Sequence, residues 1–414
     1  MVREMKDSGV QWIGEIPSNW LVVGFRHLHN GTNVGESIDK EFWTADENDT
    51  IFYTAGILPI STNYKGFPEW KYTGERDLLL ARNGTPYVYL PAQNVVYSDH
   101  IIRVGIKKEF DKRFIRYCLE QSISSIIVDT VSIATWSASL WNNQRLPIPS
   151  IVEQHRVADF LERECNEIDI VLEKTRASID EYKKLKQSVI TQAVTKGVRP
   201  NHQMKDSGIE WIGDIPADWN IEKIKWLFEL RNEKNYLPLE EVNLISLYTD
   251  LGVVQHCDLE KTTGNKAANA DGYKKVFAND IVVNIILCWM GAIGRSDFTG
   301  VTSPAYDVYC PVNDTNSRFY HYYFRTTGFS GDCYKRGKGI MAMRWRTYSD
   351  QFRDIPVVYP DPKEQQEIVD YLDQKCAEID ILISKKQQFL TELETYKKSL
   401  IYEYVTGKRE VPQE

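Results

Sequence analysis

The chain has 414 residues, 42% of them hydrophobic and 26% charged, and a formal net charge of −8, which is typical of a globular protein with about two to four domains. Its seven cysteines are scattered and never spaced as C-x-x-C, which argues for reduced thiols and against a zinc ribbon or a disulfide scaffold. No signal peptide precedes the first motif and no apolar run approaches the ~18 residues of a membrane span, so we expect a cytoplasmic protein.

The chain begins with an arm that returns almost unchanged. Residues 5–20 reappear as residues 204–219, an offset of 199, with 11 of 16 positions identical. This distance is far longer than the periods of solenoids and propellers and has the size of a whole domain. We therefore expect two copies of one domain, and a binding partner with two related halves. Four tryptophans of the arms should pack where each domain meets a helix: Trp12, Trp20, Trp211 and Trp219.

A variable block follows each arm and has the pattern of short strands followed by a helix. In block 1 the predicted strands are 77–82, 86–90 and 101–104, and the helix covers 114–119; in block 2 the strands are 280–284, 291–295 and 306–309, and the helix covers 319–324. The blocks share this order but little local sequence. A scaffold kept twice with two different faces is expected when each face recognises something different.

The negative charge lies mostly outside these blocks. Residues 21–146 hold 13 basic and 14 acidic side chains, residues 220–355 hold 17 and 16, and much of the acidic excess falls in segments 201–219 and 356–414. Because local basic patches matter more than the sum, this distribution is compatible with DNA binding without requiring it.

A long helix is predicted after each block. Glu153-Gln154 and Glu364-Gln365 correspond at an offset of 211, as do Ile168-Asp169 and Ile379-Asp380. Both segments follow prolines and carry a four-three apolar spacing over four heptads or more, which is a coiled-coil pattern. A generic dimerisation helix is one interpretation. An antiparallel pair within the chain is the other, and it would give a pseudo-two-fold axis and hold the blocks a fixed distance apart.

These features together resemble one family, the DNA-specificity subunits of type I restriction–modification systems. The resemblance covers nearly the whole chain and rests on the duplicated M-K-D-S-G-x-x-W-I-G-x-I-P-x-x-W arm, the D-L-L-L-A-R-N-G-T and D-I-V-V-N … G-A-I-G-R stretches, the prolines and E-Q pairs before the long helices, and the closing Y-K-K-S-L-I … V-T-G-K. It implies two target-recognition domains that each contact one half of a bipartite double-stranded DNA target, and helices that dock two methyltransferase subunits for N6-adenine methylation. Nuclease/translocase subunits could join them.

The resemblance also implies a chain that is not an enzyme. S-adenosylmethionine, ATP and Mg would belong to the partner subunits. In agreement, the sequence has no Asn/Asp-Pro-Pro-aromatic tetrapeptide, and residues 331–338 lack the spacing and the Ser/Thr of a phosphate loop. No His/Cys group has metal-ligand spacing. A coiled-coil scaffold without DNA specificity, and an enzyme with an unrecognised site, are the alternatives.

The expected architecture is therefore α/β (α+β), with two recognition domains related by pseudo-two-fold symmetry and separated by two long antiparallel coiled-coil helices. We expect recognition domain 1 at 1–150, spacer helix 1 at 151–200, recognition domain 2 at 201–355 and spacer helix 2 at 356–414.

Candidate DNA-binding residues are basic, polar or aromatic side chains of the blocks. The foremost group runs from Tyr334 to Arg346 and offers phosphate and guanine contacts: Lys335, Arg336, Lys338, Arg344 and Arg346. The matching segment of block 1 is polar and aromatic and offers Trp136, Ser137 and Asn142. Further candidates are Lys65, Lys71, Arg82, Asn83, Thr85, Lys274, Lys275 and Arg295. Lys65 and Lys71 could equally belong to a hairpin that packs its aromatic residues on the core.

Overall fold

The computed structural model describes residues 3–124, 135–200, 203–249, 251–256, 269–339 and 345–412. The chain divides into two compact units that do not follow chain order. Unit 1 comprises Met1–Arg176 and Gln388–Glu414, and unit 2 comprises Ala177–Gln387. Each unit combines a β-rich domain with parts of two long helices, so the predicted mixed α/β architecture is confirmed. No helix within the described ranges is long and apolar enough to cross a membrane.

The β-rich domain of unit 1 is built on a four-stranded sheet in the order β4-β11-β8-β9, with a second sheet in the order β10-β6-β7-β5 and two strand pairs, β1-β2 and β3-β12. The elements are β1 Met5–Asp7, β2 Glu15–Pro17, β3 Leu21–Gly24, β4 His29–Val34, β5 Trp43–Thr44, β6 Thr50–Tyr53, β7 Ile60–Thr62, β8 Asp77–Ala81, β9 Val88–Tyr89, β10 Val96–Tyr97, β11 Ile101–Ile106, α1 Lys112–Ser124, α2 Ala138–Asn142 and β12 Arg145–Ile148.

Unit 2 repeats this framework. Its four-stranded sheet has the order β16-β23-β20-β21, and the pairs β13-β14 and β15-β24 correspond to β1-β2 and β3-β12. The elements are β13 Met204–Asp206, β14 Asp214–Pro216, β15 Asn220–Lys223, α4 Ile224–Leu227, β16 Phe228–Leu230, β17 Ile245–Tyr248, β18 Gly252–Gln255, β19 Lys274–Val276, β20 Ile281–Asn284, β21 Ile293–Arg295, β22 Gly300–Thr302, β23 Tyr306–Pro311, α5 Ser317–Phe324, α6 Thr327–Arg336, α7 Ser349–Arg353 and β24 Pro356–Tyr359.

The two long helices, α3 (Ile151–Lys196) and α8 (Pro362–Val405), pack antiparallel inside each unit. In unit 1 the Phe160 ring packs against Tyr404 with 4.5 Å between ring centroids, and Asp169 pairs with Lys397 at 2.6 Å, so residue numbers rise along α3 while they fall along α8. In unit 2 Lys186 pairs with Asp380 at 2.6 Å. The two ion pairs occupy corresponding places, 211 residues apart, and they give a partner to each lysine that falls on the four-three spacing (the seam) of its helix, Lys186 and Lys397.

A buried glutamine joins the start of each long helix to its domain. The Gln154 side chain accepts the backbone N–H of Asp111 at 3.0 Å and donates to the Pro149 carbonyl at 3.0 Å. Gln365 makes the same two bonds, to Asn316 at 2.9 Å and to Pro360 at 2.9 Å. A buried amide is stable only when its polar atoms are bonded, so the repeated E-Q pair is structural.

Two of the arm tryptophans, Trp20 and Trp211, contact a helix. Trp20 donates its indole N–H to Glu153 at the start of α3 (3.1 Å) and meets Phe114 of α1 edge-on. Trp211 donates to Asp332 of α6 (2.7 Å), and a Cβ at Gly328 would come within 2.1 Å of its ring. Only glycine at position 328 allows this close approach.

Candidate nucleic-acid interface

The basic loop of unit 2, defined here as residues 334–338 with 345–346, is held together by backbone pairing and aromatic stacking. Lys338 and Arg346 exchange both backbone hydrogen bonds, at 2.8 and 3.0 Å. The Trp345 ring stacks on Tyr334 at 5.0 Å and donates its N–H to the Tyr334 carbonyl at 3.1 Å. A Cβ at Gly337 would lie 2.2 Å from the Trp345 indole nitrogen, so the stack requires glycine there.

This loop brings together four of the foremost candidates, Lys335, Arg336, Lys338 and Arg346, while Arg344 lies outside the described residues. Lys335 and Lys338 are exposed, and the two arginines are half-buried. Lys335 pairs with Glu210 at 2.8 Å, and this carboxylate raises the pKa of the lysine. Because both partners are exposed, the pair is weak and can exchange for a phosphate at little cost.

The corresponding place in unit 1 is formed by the loop after β8. The backbone N–H of Trp136 donates to the Arg82 carbonyl at 2.7 Å, and its indole N–H donates to the Gly84 carbonyl at 2.8 Å. In unit 2, Thr347, which lies 211 residues after Trp136, donates in the same way to the carbonyl of Ile285 at 2.9 Å. In each unit, the loop after one inner strand of the four-stranded sheet (β8 or β20) therefore lies beside the segment before a short helix (α2 or α7).

Several candidates of block 1 have structural partners within this place. Trp136 is buried, Ser137 caps α2 by accepting the N–H of Leu140, and Asn142 binds His29 at 2.8 Å. Asn83 binds the His100 ring at 2.8 Å. Arg82 and Thr85 are exposed on the loop itself and are the side chains that it offers to a ligand.

The remaining candidates lie on other parts of the domains. Lys65 is exposed, whereas Lys71 is buried and its ammonium group donates to the Val34 carbonyl at 2.6 Å. Lys274 pairs with Asp307 at 2.8 Å and Lys275 with Glu233 at 4.0 Å. Arg295 binds Asn279 through two nitrogens, at 3.0 and 2.6 Å, and also pairs with Asp297. Intramolecular partners thus hold most of these cations within the fold.

His321 of α5, in unit 2, is a histidine whose pKa is lowered, so that its ring is neutral at pH 7. Burial, reinforced by the nearby positive charges of Arg325, Arg318 and Arg295, lowers its pKa from 6.5 to about 4. Its Nδ1 accepts the backbone N–H of Arg295 at 3.1 Å, a bond that the protonated ring could not accept.

We expect unit 2 to lose stability as the pH falls from about 6.5 to about 4. Between these pH values the unfolded chain binds a proton on His321 and the folded chain does not. The free energy of unfolding therefore decreases as the pH is lowered, by up to roughly 3 kcal/mol. Urea unfolding at several pH values should show a flatter dependence for His321→Asn, which keeps an acceptor near Nδ1. An unchanged slope in that variant would contradict the assignment.

Within the described ranges, no group of three or more His, Cys, Asp or Glu side chains is arranged to hold a metal ion.

Comparisons with known proteins agree on one group. No family model matches the chain. It is 24% identical over 166 residues to the type I restriction enzyme MjaVIII specificity subunit of Methanocaldococcus jannaschii and 21% identical over 320 residues to the EcoBI specificity subunit of Escherichia coli. These alignments cover 39% and 71% of this chain, and the chain spans 37% and 65% of the lengths of the two relatives.

Two solved structures share the fold. A chain of a type I restriction–modification system, solved in work on complex assembly and conformational transition, superposes with a TM-score of 0.67 over 95% of this chain and 99% of its own length, at 12% identity. The HsdS subunit from Thermoanaerobacter tengcongensis gives a TM-score of 0.50 over 95% and 98% of the two chains, at 14% identity.

Proposed function

Because this chain belongs to the family of type I restriction–modification specificity subunits, we propose that it selects the DNA target of such a complex. Each recognition domain would contact one half of a bipartite double-stranded sequence. The chain itself would perform no chemistry, and S-adenosylmethionine, ATP and Mg would be bound by its partners. A protein with this role acts on cellular DNA in the cytoplasm.

The observation that carries this proposal is a framework that occurs twice in the chain with two different faces. The strand pairs, central sheets, buried glutamines and helix ion pairs are built twice, whereas the equivalent loops differ in chemistry. Trp136 corresponds to Thr347, and Thr135 corresponds to Arg346. The basic loop of unit 2 supplies charge for phosphates and guanidinium groups for guanine, while unit 1 offers a more polar surface. Different faces on one scaffold suit two different half-targets.

Exposed apolar side chains on the long helices support the proposal that two methyltransferase subunits dock there. Ile170 and Val171 of α3 are exposed in unit 1, and Ile381 and Leu382 of α8, 211 residues later, are exposed in unit 2. The seam residues Ile168 and Ile379 are buried, so these apolar pairs extend beyond the α3–α8 seam. Exposed apolar pairs that occur twice at equivalent positions suit a protein partner that binds twice. A nuclease subunit could join the same complex.

Methylome sequencing of a host that carries this chain with its methyltransferase tests the proposal. We expect N6-methyladenine in a split motif, with two specified segments separated by a fixed number of unspecified bases. A continuous motif would contradict the proposal that each of the two domains contacts its own half of the target. Absence of any motif, with an intact complex, would favour a scaffold without DNA specificity.

Changing the basic loop should alter only one half of that motif. In the double variant Lys338→Ala with Arg346→Ala, a lost guanine contact would weaken specific DNA binding by about 1–3 kcal/mol. A lost phosphate contact would lower the slope of log binding constant against log salt concentration by about one. Arg82→Ala in unit 1 is the reciprocal variant and should relax the other half. Equal relaxation of both halves by either variant would contradict the assignment of one half to each domain.

A further inference from the structure

Each recognition domain carries a β-hairpin with at least one exposed aliphatic side chain at its tip. In unit 1 the tip between β6 and β7 presents Ile57 and Leu58, which are 68% and 77% exposed. In unit 2 the tip between β17 and β18 presents Leu251, which is 61% exposed. Hairpin tips usually hold Gly, Asn, Asp or Ser. A single exposed aliphatic residue is ordinary, but exposed aliphatic side chains lie at the tips of both hairpins.

The two hairpins are equivalent elements of the domains. β6 pairs antiparallel with β7 and parallel with β10, and β17 pairs antiparallel with β18 while Leu244 makes a parallel bridge to Val301. Their turns share the residues Tyr53-Thr54 with Gly56 and Tyr248-Thr249 with Gly252. This match has an offset of 195 rather than 199 or 211 and one extra residue in unit 2, so it does not align with the arm or helix repeats.

Both tips are anchored through the carbonyl group of an equivalent threonine, Thr54 in unit 1 and Thr249 in unit 2. In unit 1 the Tyr89 hydroxyl of β9 donates to the carbonyls of Thr54 (3.3 Å) and Gly56 (2.7 Å). In unit 2 Arg325 donates to the Thr249 carbonyl at 3.0 Å and to the Ile293 carbonyl of β21 at 3.1 Å. β9 and β21 hold equivalent places in the central sheets. A tip anchored in this way loses little conformational entropy when it is pressed into a ligand.

The anchoring contacts connect both tips to strands that border the candidate DNA loops. β9 directly follows the loop that carries Arg82 and Thr85. β21 follows the segment 285–292, whose Ile285 carbonyl accepts from Thr347 and whose Trp289 ring lies 5.6 Å from Tyr334 of the basic loop. DNA, the polyanion that the basic loop of unit 2 and Arg82 of unit 1 suit, is therefore the occupant that we consider for the tips.

On the basis of the proposed function, we propose that the hairpin tips Ile57-Leu58 and Leu251 are apolar wedges that enter a groove of the DNA, one at each half-target, and partly unstack a base step. Apolar side chains of this kind unstack and kink DNA in groove-binding proteins. N6-adenine methylation requires the adenine to leave the helix, and a neighbouring step that is already unstacked reduces the work of that movement.

The experiment uses the assembled complex of the full chain with its methyltransferase and duplexes that contain the motif found by methylome sequencing. 2-Aminopurine replaces single bases next to, but not at, the methylated adenine, because its fluorescence rises when it is unstacked. The variants are Ile57→Ser with Leu58→Ser for one half-target and Leu251→Ser for the other. Leu21→Ser, at an equally exposed leucine of β3, is the matched control.

We expect the unmodified complex and the Leu21→Ser control to raise the fluorescence several-fold at one step in each half-target. Each tip variant should lose this rise in its own half only and bind the duplex about tenfold or more weakly. Unchanged unstacking in both tip variants would overturn the wedge. Loss of a methyltransferase copy with unchanged unstacking would also overturn it and make the tip a protein-docking element. If the unmodified complex showed no sequence-dependent binding, the proposed function itself would fail.

Discussion

Tyr404→Ala, near the end of the last helix, is expected to destabilise the domain at the start of the chain. Tyr404 is fully buried, packs against Phe160 and belongs to the same core as Trp20, Phe114 and Leu146. Removing a buried aromatic ring costs about 3–5 kcal/mol, a large share of the 5–15 kcal/mol that typically stabilises a domain. The loss should be confined to unit 1, because its core includes this part of α8.

Hydrogen–deuterium exchange measured by mass spectrometry locates the effect. Amide exchange should accelerate in residues 3–124 and 151–176, and protection in residues 203–249 should be retained. Tyr396→Ala is the control, since Tyr396 lies on the same helix but is exposed, and such surface changes usually alter stability by less than about 0.5 kcal/mol. Faster exchange in unit 2 alone would show that the last helix stabilises the other domain.

The sequence predicted the parts of the fold that are repeated. The offsets of 199 and 211 identified the arms and the helices because the same contacts are made twice: Gln154 and Gln365 bond to the start of a helix, and Asp169 and Asp380 pair with a seam lysine. Because the same contact requires the same residue type in both copies, the repeat can be recognised from the sequence of this one chain.

The composition of the units could not be predicted in the same way. The four-three spacing of α8 runs from Leu372 to Tyr404, and this periodicity does not reveal that the part after residue 387 packs with the first domain. The partner of each helix segment is determined by tertiary packing, such as Phe160 on Tyr404, between residues 244 positions apart.

The candidate site was predicted less completely than the fold. Lys71 and Arg295 are basic residues of the kind that contacts DNA, but the residue type does not reveal in which direction a side chain on a short turn or strand points. Their hydrogen bonds to Val34 and Asn279 direct them into the fold. The hairpin tips proposed above as wedges gave no sequence signal for another reason. Their shared Tyr-Thr pair is short and interrupted by one extra residue, so it falls outside both repeat offsets.

Ile381→Asp with Leu382→Asp is expected to remove one methyltransferase subunit from the complex and leave the other bound. Both side chains are exposed and lie beside the buried seam residue Ile379, so the substitution should leave the α3–α8 pair folded. An unpaired carboxylate buried in an apolar interface costs several kcal/mol, and truncating an interface hot spot costs at least about 2 kcal/mol. The affinity at this site should fall about 30-fold or more. Native mass spectrometry should then show complexes with a single methyltransferase copy.

The duplicated pair provides the matched test. Ile170→Asp with Val171→Asp should remove one copy from the site in unit 1, and the four changes together should remove both. Ile381→Val with Leu382→Met, which keeps the surface apolar, should retain two copies. If the four-fold variant still held both copies, the methyltransferases would dock elsewhere on the chain. If each pair of aspartates removed both copies, the two sites would be coupled, and the equivalence of the exposed pairs on α3 and α8 would not reflect two independent docking events.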